Sequence, residues 1–137
     1  MVKFDHEKIA DIAHRFGVRD VYRYGSQITG RIHAKSDIDV GVVFERGIPN
    51  NYIEIYGGLA SELAVIFGAR EEGPRLDLAF LEEAPVNMLF KMVSEGELVY
   101  TSDQKSADDF LESVIARYHD QKYFIDEFYR TKMYETV

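Results

Sequence analysis

The sequence predicts an α/β domain, with a small central sheet flanked by helices and a long helix at the C-terminal end. Three observations predict it. A helical-period run from Asp5 to Phe16 leads at once into a valine- and tyrosine-rich strand, Val18 to Tyr24. A second strand, Asp37 to Phe44, is apolar on both faces once past its acids, as a central strand covered on both sides should be. An amphipathic helix then separates that strand from a third, Arg75 to Leu81, in the alternation typical of α/β folds.

The elements follow in order. Ile9, Ile12, Ala13 and Phe16 recur at helical spacing, and Gly17 ends the first helix. The strand Val18 to Tyr24 runs straight into Gly25, after which Ser26 to Ile32 reads as a short helix. Gly47-Ile48-Pro49-Asn50 breaks the chain after the second strand, with Asn50 or Asn51 as cap for the next helix. Tyr52, Ile55, Tyr56, Leu59, Leu63 and Ile66 form the apolar face of that helix, which runs for about four turns. Gly68 to Pro74 is a polar turn before the third strand, which carries one acid, Asp77, in its middle. Val86 to Val93 makes a short helix closed by Gly96, and Leu98 to Tyr100 a short edge strand. The last helix is expected from Ser106 to near Arg130, with Phe110, Leu111, Val114, Ile115 and Tyr118 as its first apolar stripe. No repeat or linker divides residues 1–137, so they read as one domain: a core over 1–100 and a helical tail over 103–137.

Composition narrows the function classes. The chain has 137 residues, 46% of them hydrophobic and 29% charged, which suits a globular protein with one core. Its net charge of −8 argues against binding a polynucleotide through a general basic surface. Small anionic ligands stay open, because a bound cation supplies a positive field locally. No apolar run reaches bilayer length, and the polar start Lys3-Phe4-Asp5-His6-Glu7 is unlike a secretory signal. With no cysteine there is neither a disulfide framework nor a thiolate metal site. A cytoplasmic location without membrane contact is the expectation.

The chemistry concentrates in Gly25-Ser26, ten further residues, and then Asp37-Ile38-Asp39. Asp37 and Asp39, two apart on a strand, project from one face and repel each other unless a cation sits between them. Hard carboxylate oxygens favour magnesium, with manganese as the alternative. The apolar run after them places the pair at the mouth of a buried strand, which weighs against two merely solvated surface acids. Asp77 is a charge in an otherwise apolar strand and the natural third ligand, if its strand pairs beside Asp37 to Phe44. Its bland alternative is pairing with Arg75 or Arg70. Gly25 permits a tight turn, and Ser26 offers a hydroxyl and an N–H at a helix N-terminus where an anion is favoured. Arg31 and Lys35 lie within reach of a triphosphate tail, although solvated surface explains them as well. Tyr118, Tyr123, Phe124, Phe128, Tyr129 and Tyr134 are more aromatics than one buried stripe can hold, as at a partner interface, with packing against the same domain or a homodimer mate as the alternative.

These residues resemble the nucleotidyltransferase superfamily that includes DNA polymerase beta, whose signature is the spacing found from Gly25 to Asp39. The small size resembles the minimal nucleotidyltransferase (MNT) group. That resemblance implies the polymerase beta-like fold, with a small mixed sheet, over residues 1 to about 100. It implies Asp37, Asp39 and Asp77 as catalytic and metal-binding residues, with two magnesium ions. Asp77 would also orient or deprotonate the attacking hydroxyl. The nucleotide, ATP, would be held by Gly25, Ser26, Gly30, Arg31 and Ser36. Many MNT proteins carry Ala-Arg-Gly where this chain has Ile28-Thr29-Gly30, a departure at the phosphate-side arginine whose charge Arg31, two residues later, would have to supply.

MNT proteins are commonly paired with HEPN proteins as antitoxin and toxin. The resemblance therefore implies an adenylyltransferase that AMPylates a tyrosine of a HEPN ribonuclease toxin, in a hetero-oligomer with it. Nucleotidyl transfer to a small molecule such as an aminoglycoside is one competing reading. A non-catalytic module that neutralises its partner by contact is the other.

Overall fold

A computed structural model describes residues 5–24 and 37–135, with side chains as far as Lys132. The expected helix from Ser26 to Ile32 lies outside the described residues. The elements are α1 (His6–Phe16), β1 (Val18–Tyr24), β2 (Ile38–Phe44), α2 (Tyr52–Phe67), β3 (Leu76–Phe80), α3 (Val86–Glu95), β4 (Glu97–Thr101) and α4 (Gln104–Glu135). A single 3₁₀ turn, Leu81–Glu83, links β3 to α3.

The strands form a mixed sheet in the order β3-β2-β1-β4. β1 pairs antiparallel with both β2 and β4, while β2 and β3 run parallel through the α2 crossover. Side chains alternate across a strand, so the sheet has two separately covered faces. On one, Val18, Val21, Ile38, Val40, Val42, Phe44, Leu78 and Phe80 pack beneath Ile9, Ile12 and Ala13 of α1 and Leu59, Leu63 and Phe67 of α2. On the other, Tyr22 and Val43 meet Leu81, Leu89, Met92, Val93 and Val114, from the 3₁₀ turn, α3 and α4. Each fully buried leucine or isoleucine here contributes about 1.5–3 kcal/mol.

Local chemistry sets the element ends. Asp5 caps α1, its carboxylate accepting from the Lys8 N–H at 3.2 Å. Gly17 closes the helix in the left-handed region at φ 71°, where a side chain would be strained. Asp5→Ala is expected to cost about 1 kcal/mol and Asp5→Asn much less, readable from denaturant midpoints. Asn51 takes the cap position of α2 as expected, but its side chain makes no capping bond.

Three expectations need correction. The α2 core face is Leu59, Leu63 and Phe67, whereas Tyr52 and Tyr56 are exposed. Helix packing follows the stripe nearest the sheet, and both tyrosines keep a polar end in water. The third strand stops at Phe80, because Leu81 turns into the 3₁₀ segment and drops into the second core, fully buried. The final helix runs well past Arg130. Val114 is buried and Phe110, Leu111, Ile115 and Tyr118 are partly so, but Tyr123, Phe124, Phe128 and Tyr129 are all more than half exposed. Those four aromatics therefore do not pack against their own domain.

One internal acid is purely a structural tie. Asp20 is fully buried on β1, where it accepts from Arg19 Nε at 3.0 Å, Arg19 Nη2 at 2.9 Å and Thr101 Oγ1 at 2.6 Å. Paired in this way, its charge fixes β1 to the end of β4 just ahead of α4.

Candidate functional site

The alternation that buries Ile38, Val40 and Val42 beneath α1 and α2 turns Asp39, Gly41 and Val43 to the opposite face, on the side of α3 and α4. β3 repeats the pattern: Leu76, Leu78 and Phe80 join the first core, so Asp77 lies on the same face as Asp39. The parallel register pairs Asp39 with Asp77 directly. Asp37 stands one residue before β2, again on that face, where the Ile38 N–H donates to the Arg75 carbonyl at 2.7 Å and carries the ladder on. The three acids thus mark one end of the two parallel strands.

Their environments differ. Asp37 and Asp77 are exposed, while Asp39 is partly buried. Burial pushes the Asp39 carboxyl above the usual carboxylate range, and the charges of Asp77 and Asp37 push it further the same way. Among the described residues, no hydrogen bond or ion pair neutralises any of the three. Arg75 does not answer Asp77; its Nη2 reaches the Glu71 carbonyl at 3.5 Å instead. Among the described residues neither Arg75 nor Arg70 forms an ion pair with Asp77.

The strands converge as expected, but the side-chain tips do not close into a ligand set. Among the described residues no three His, Asp or Glu side chains are gathered tightly enough to hold a metal ion. The donor chemistry nevertheless fits a hard divalent cation: three carboxylates, one held above the usual range by burial and then by the charges of the other two, are what such an ion would relieve. Gly25, Ser26, Gly30, Arg31 and Ser36 lie outside the described residues.

Three site neighbours have no motif in the sequence. Tyr24, the last residue of β1, is the in-register partner of Asp39. Directly opposed residues share a face, so its ring flanks the acid row. The Tyr24 hydroxyl donates to Glu95 Oε2 at 3.2 Å, and Lys91 Nζ lies 6.0 Å from the Tyr24 ring centroid. Adjacency to Gly25 was the available signal for Tyr24. Nothing local marks Lys91 or Glu95, which reach Tyr24 only through the packing of α3.

A mixed sheet with acids at the mouth of its parallel strands is an architecture suited to phosphoryl chemistry. Residues 7–105 match the family described as polymerase beta, nucleotidyltransferase, and the chain belongs to that family. No curated protein sequence matches this one. Among solved structures, the fold is similar to a chain of a toxin–antitoxin complex with AMP-PNP, at 21% identity and a TM-score of 0.70. That match covers 94% of this chain and 98% of the other. It is also similar to a chain of the complex between tri-AMPylated Shewanella oneidensis HEPN toxin and MNT antitoxin. There the identity is 19%, the TM-score 0.64, and the cover 93% of this chain and 95% of the other. A third similar structure is a MntA–HepT toxin–antitoxin complex, with 19% identity, a TM-score of 0.64 and 93% and 96% cover. Among the described residues, no helix is long and apolar enough to cross a membrane.

Proposed function

We propose that this nucleotidyltransferase is a divalent-metal-dependent protein adenylyltransferase of the MNT antitoxin type, transferring AMP from ATP to a tyrosine of a HEPN-type toxin. The observation that carries the reading is the in-register row of Asp39 and Asp77, with Asp37 on the same face, in a chain of this family. AMP-PNP in one similar complex and a tri-AMPylated HEPN toxin in another support ATP as donor and a HEPN protein as acceptor. The exposed aromatics of α4 supply a surface for such a partner to cover.

Asp37 and Asp39 would hold magnesium, with Asp77 completing the set. The bound ion would offset phosphate charge and favour departure of pyrophosphate. Asp77, exposed at the row's edge, accepts the proton of the attacking tyrosine hydroxyl. The hydroxyl oxygen bonds to the α-phosphorus as the bond to the bridging α–β oxygen breaks. The partly buried Asp39 and its fixed register hold the geometry, so the chain acts by positioning and charge compensation.

The test uses the purified chain with magnesium, α-labelled ATP and its co-encoded partner, beside an Asp37→Ala/Asp39→Ala variant. Label on a partner tyrosine with the wild type alone is the expected result. A variant that suppresses the partner as well as the wild type does, with no label transferred by either, would overturn the proposal in favour of neutralisation by contact.

A further inference from the structure

β3, which carries Asp77, is the outermost strand of the sheet, and among the described residues no strand pairs with its outer edge. The Arg75 carbonyl accepts from the Ile38 N–H, so residues 75, 77 and 79 turn their main-chain groups inward to β2. Leu76 and Leu78, which alternate with them, turn their N–H and C=O groups outward. Such a row is a template for another extended chain, and proteins blunt it with proline, lysine or a bulge. Leu76–Phe80 carries none of these, and its register to β2 is unbroken. Its single charge is Asp77, a member of the acid row.

An apolar recess lies against the same edge. Tyr52, Ile53 and Tyr56, in the first turns of α2, are 51%, 73% and 42% exposed. With Leu78, Phe80 and Glu83 they line an open hollow of about 360 Å³. The Tyr56 ring stands edge-on to Phe80 at 5.7 Å, which fixes one wall. Edge and recess share one register. A strand added to β3 alternates as β3 does, so its residue opposite Asp77 stands on the acid face. The next residue, opposite Leu78, turns to the α2 side and into the recess. A helix could fill the recess but not use the edge, because its own main-chain groups are already engaged.

We propose that an extended segment of the acceptor protein adds to the outer edge of β3, with its acceptor residue beside Asp77 and an adjacent apolar residue in the recess of Tyr52, Ile53 and Tyr56. The inference rests on the adenylyltransferase reading above and specifies the form of its substrate: a tyrosine in an extended stretch, next to an apolar residue. Main-chain bonds to Leu76 and Leu78 supply affinity, and the recess supplies specificity.

Hydrogen exchange at single amides tests the edge, with AMP-PNP and the co-encoded partner added to the chain. Leu76 and Leu78 should exchange fast in the chain alone and become protected with the partner, whereas Asp77 and Ala79, already bonded to β2, stay slow throughout. Ile53→Glu tests the recess at a position exposed enough to leave the melting temperature unchanged. Its Kd for the partner should rise about 10-fold, the scale of losing one buried apolar anchor, while AMP-PNP binds as before. Val65→Glu, at an exposed position near the other end of α2, should change neither. No gain of protection at Leu76 and Leu78, or an Ile53→Glu Kd equal to that of the wild type, overturns the proposal. Protection without any transfer of AMP keeps the docking edge and sinks the adenylyltransferase reading, so the two failures are told apart.

Discussion

Asp39→Asn is expected to lower AMP transfer by about 10³-fold, the scale seen when one preorganised charge-stabilising group is removed, without weakening the fold. The two effects have one cause. Asp39 is the partly buried member of the acid row, lifted above the usual carboxylate range by burial and then by its neighbours' charges. A carboxyl whose folded pKa lies above its unfolded value binds protons more tightly in the native state. Stability then falls as pH rises through the carboxylate range, so at neutral pH the ionised Asp39 costs stability. Asparagine has nearly the same shape and no charge. The variant should therefore melt at or above the wild-type temperature in the absence of metal, and its melting should depend less on pH in the acid range. Magnesium should raise the melting temperature of the wild type and have little effect on the variant, because only a ligand bound to the native state stabilises it. A variant that retains transfer within a few-fold of wild type would remove Asp39 from the site, and one that melts clearly lower would make its role structural.

Asp20, Asp39 and Asp77 show how far the residues alone carry such arguments. Each is an acid inside a strand, and the sequence singles out Asp39 by its spacing from Gly25 and Asp77 by its otherwise apolar strand. Packing then gives Asp20 the opposite character: zero exposure and three hydrogen-bond contacts from Arg19 and Thr101, a partner 81 residues away. That contact is set by the antiparallel seating of β4 on β1, which no local pattern encodes. Elements with strong periodicity were legible to within a few residues, as with α1 and β1. Ends decided by tertiary contact were not, which is why β3 stops where Leu81 finds the second core. For the same reason the contacts of Lys91 and Glu95 were invisible: α3 reads as an ordinary amphipathic helix, and only its seating brings them to Tyr24.

The largest stability effect lies directly behind the acid row, at the contact of Gly41 with Leu81. Gly41 follows Asp39 on the same face of β2, and a Cβ placed there would stand 2.6 Å from Leu81 Cδ2 and 2.9 Å from its Cγ. The missing side chain is what lets Leu81 lie flat on the sheet, fully buried, and the strand turn into the 3₁₀ segment that feeds α3. Leu81→Ala leaves a cavity in the second core and should cost about 2–5 kcal/mol. Gly41→Ala overpacks the same contact, and with Leu81 hemmed in by Leu89 and Met92 it should cost about 1–3 kcal/mol. The two changes answer each other, since the new methyl at Gly41 occupies part of the space that Leu81 vacates. The double variant should therefore be less destabilised than the sum of the single ones, by about 0.5–3 kcal/mol of coupling, as read from denaturant midpoints at constant m-value. Strict additivity would show that Leu81 moves aside at no cost and does not brace β2. Coupling of the expected sign would show that the floor beneath Asp39 is set by one glycine and one leucine, and transfer activity should then fall with Gly41→Ala and recover in the double variant.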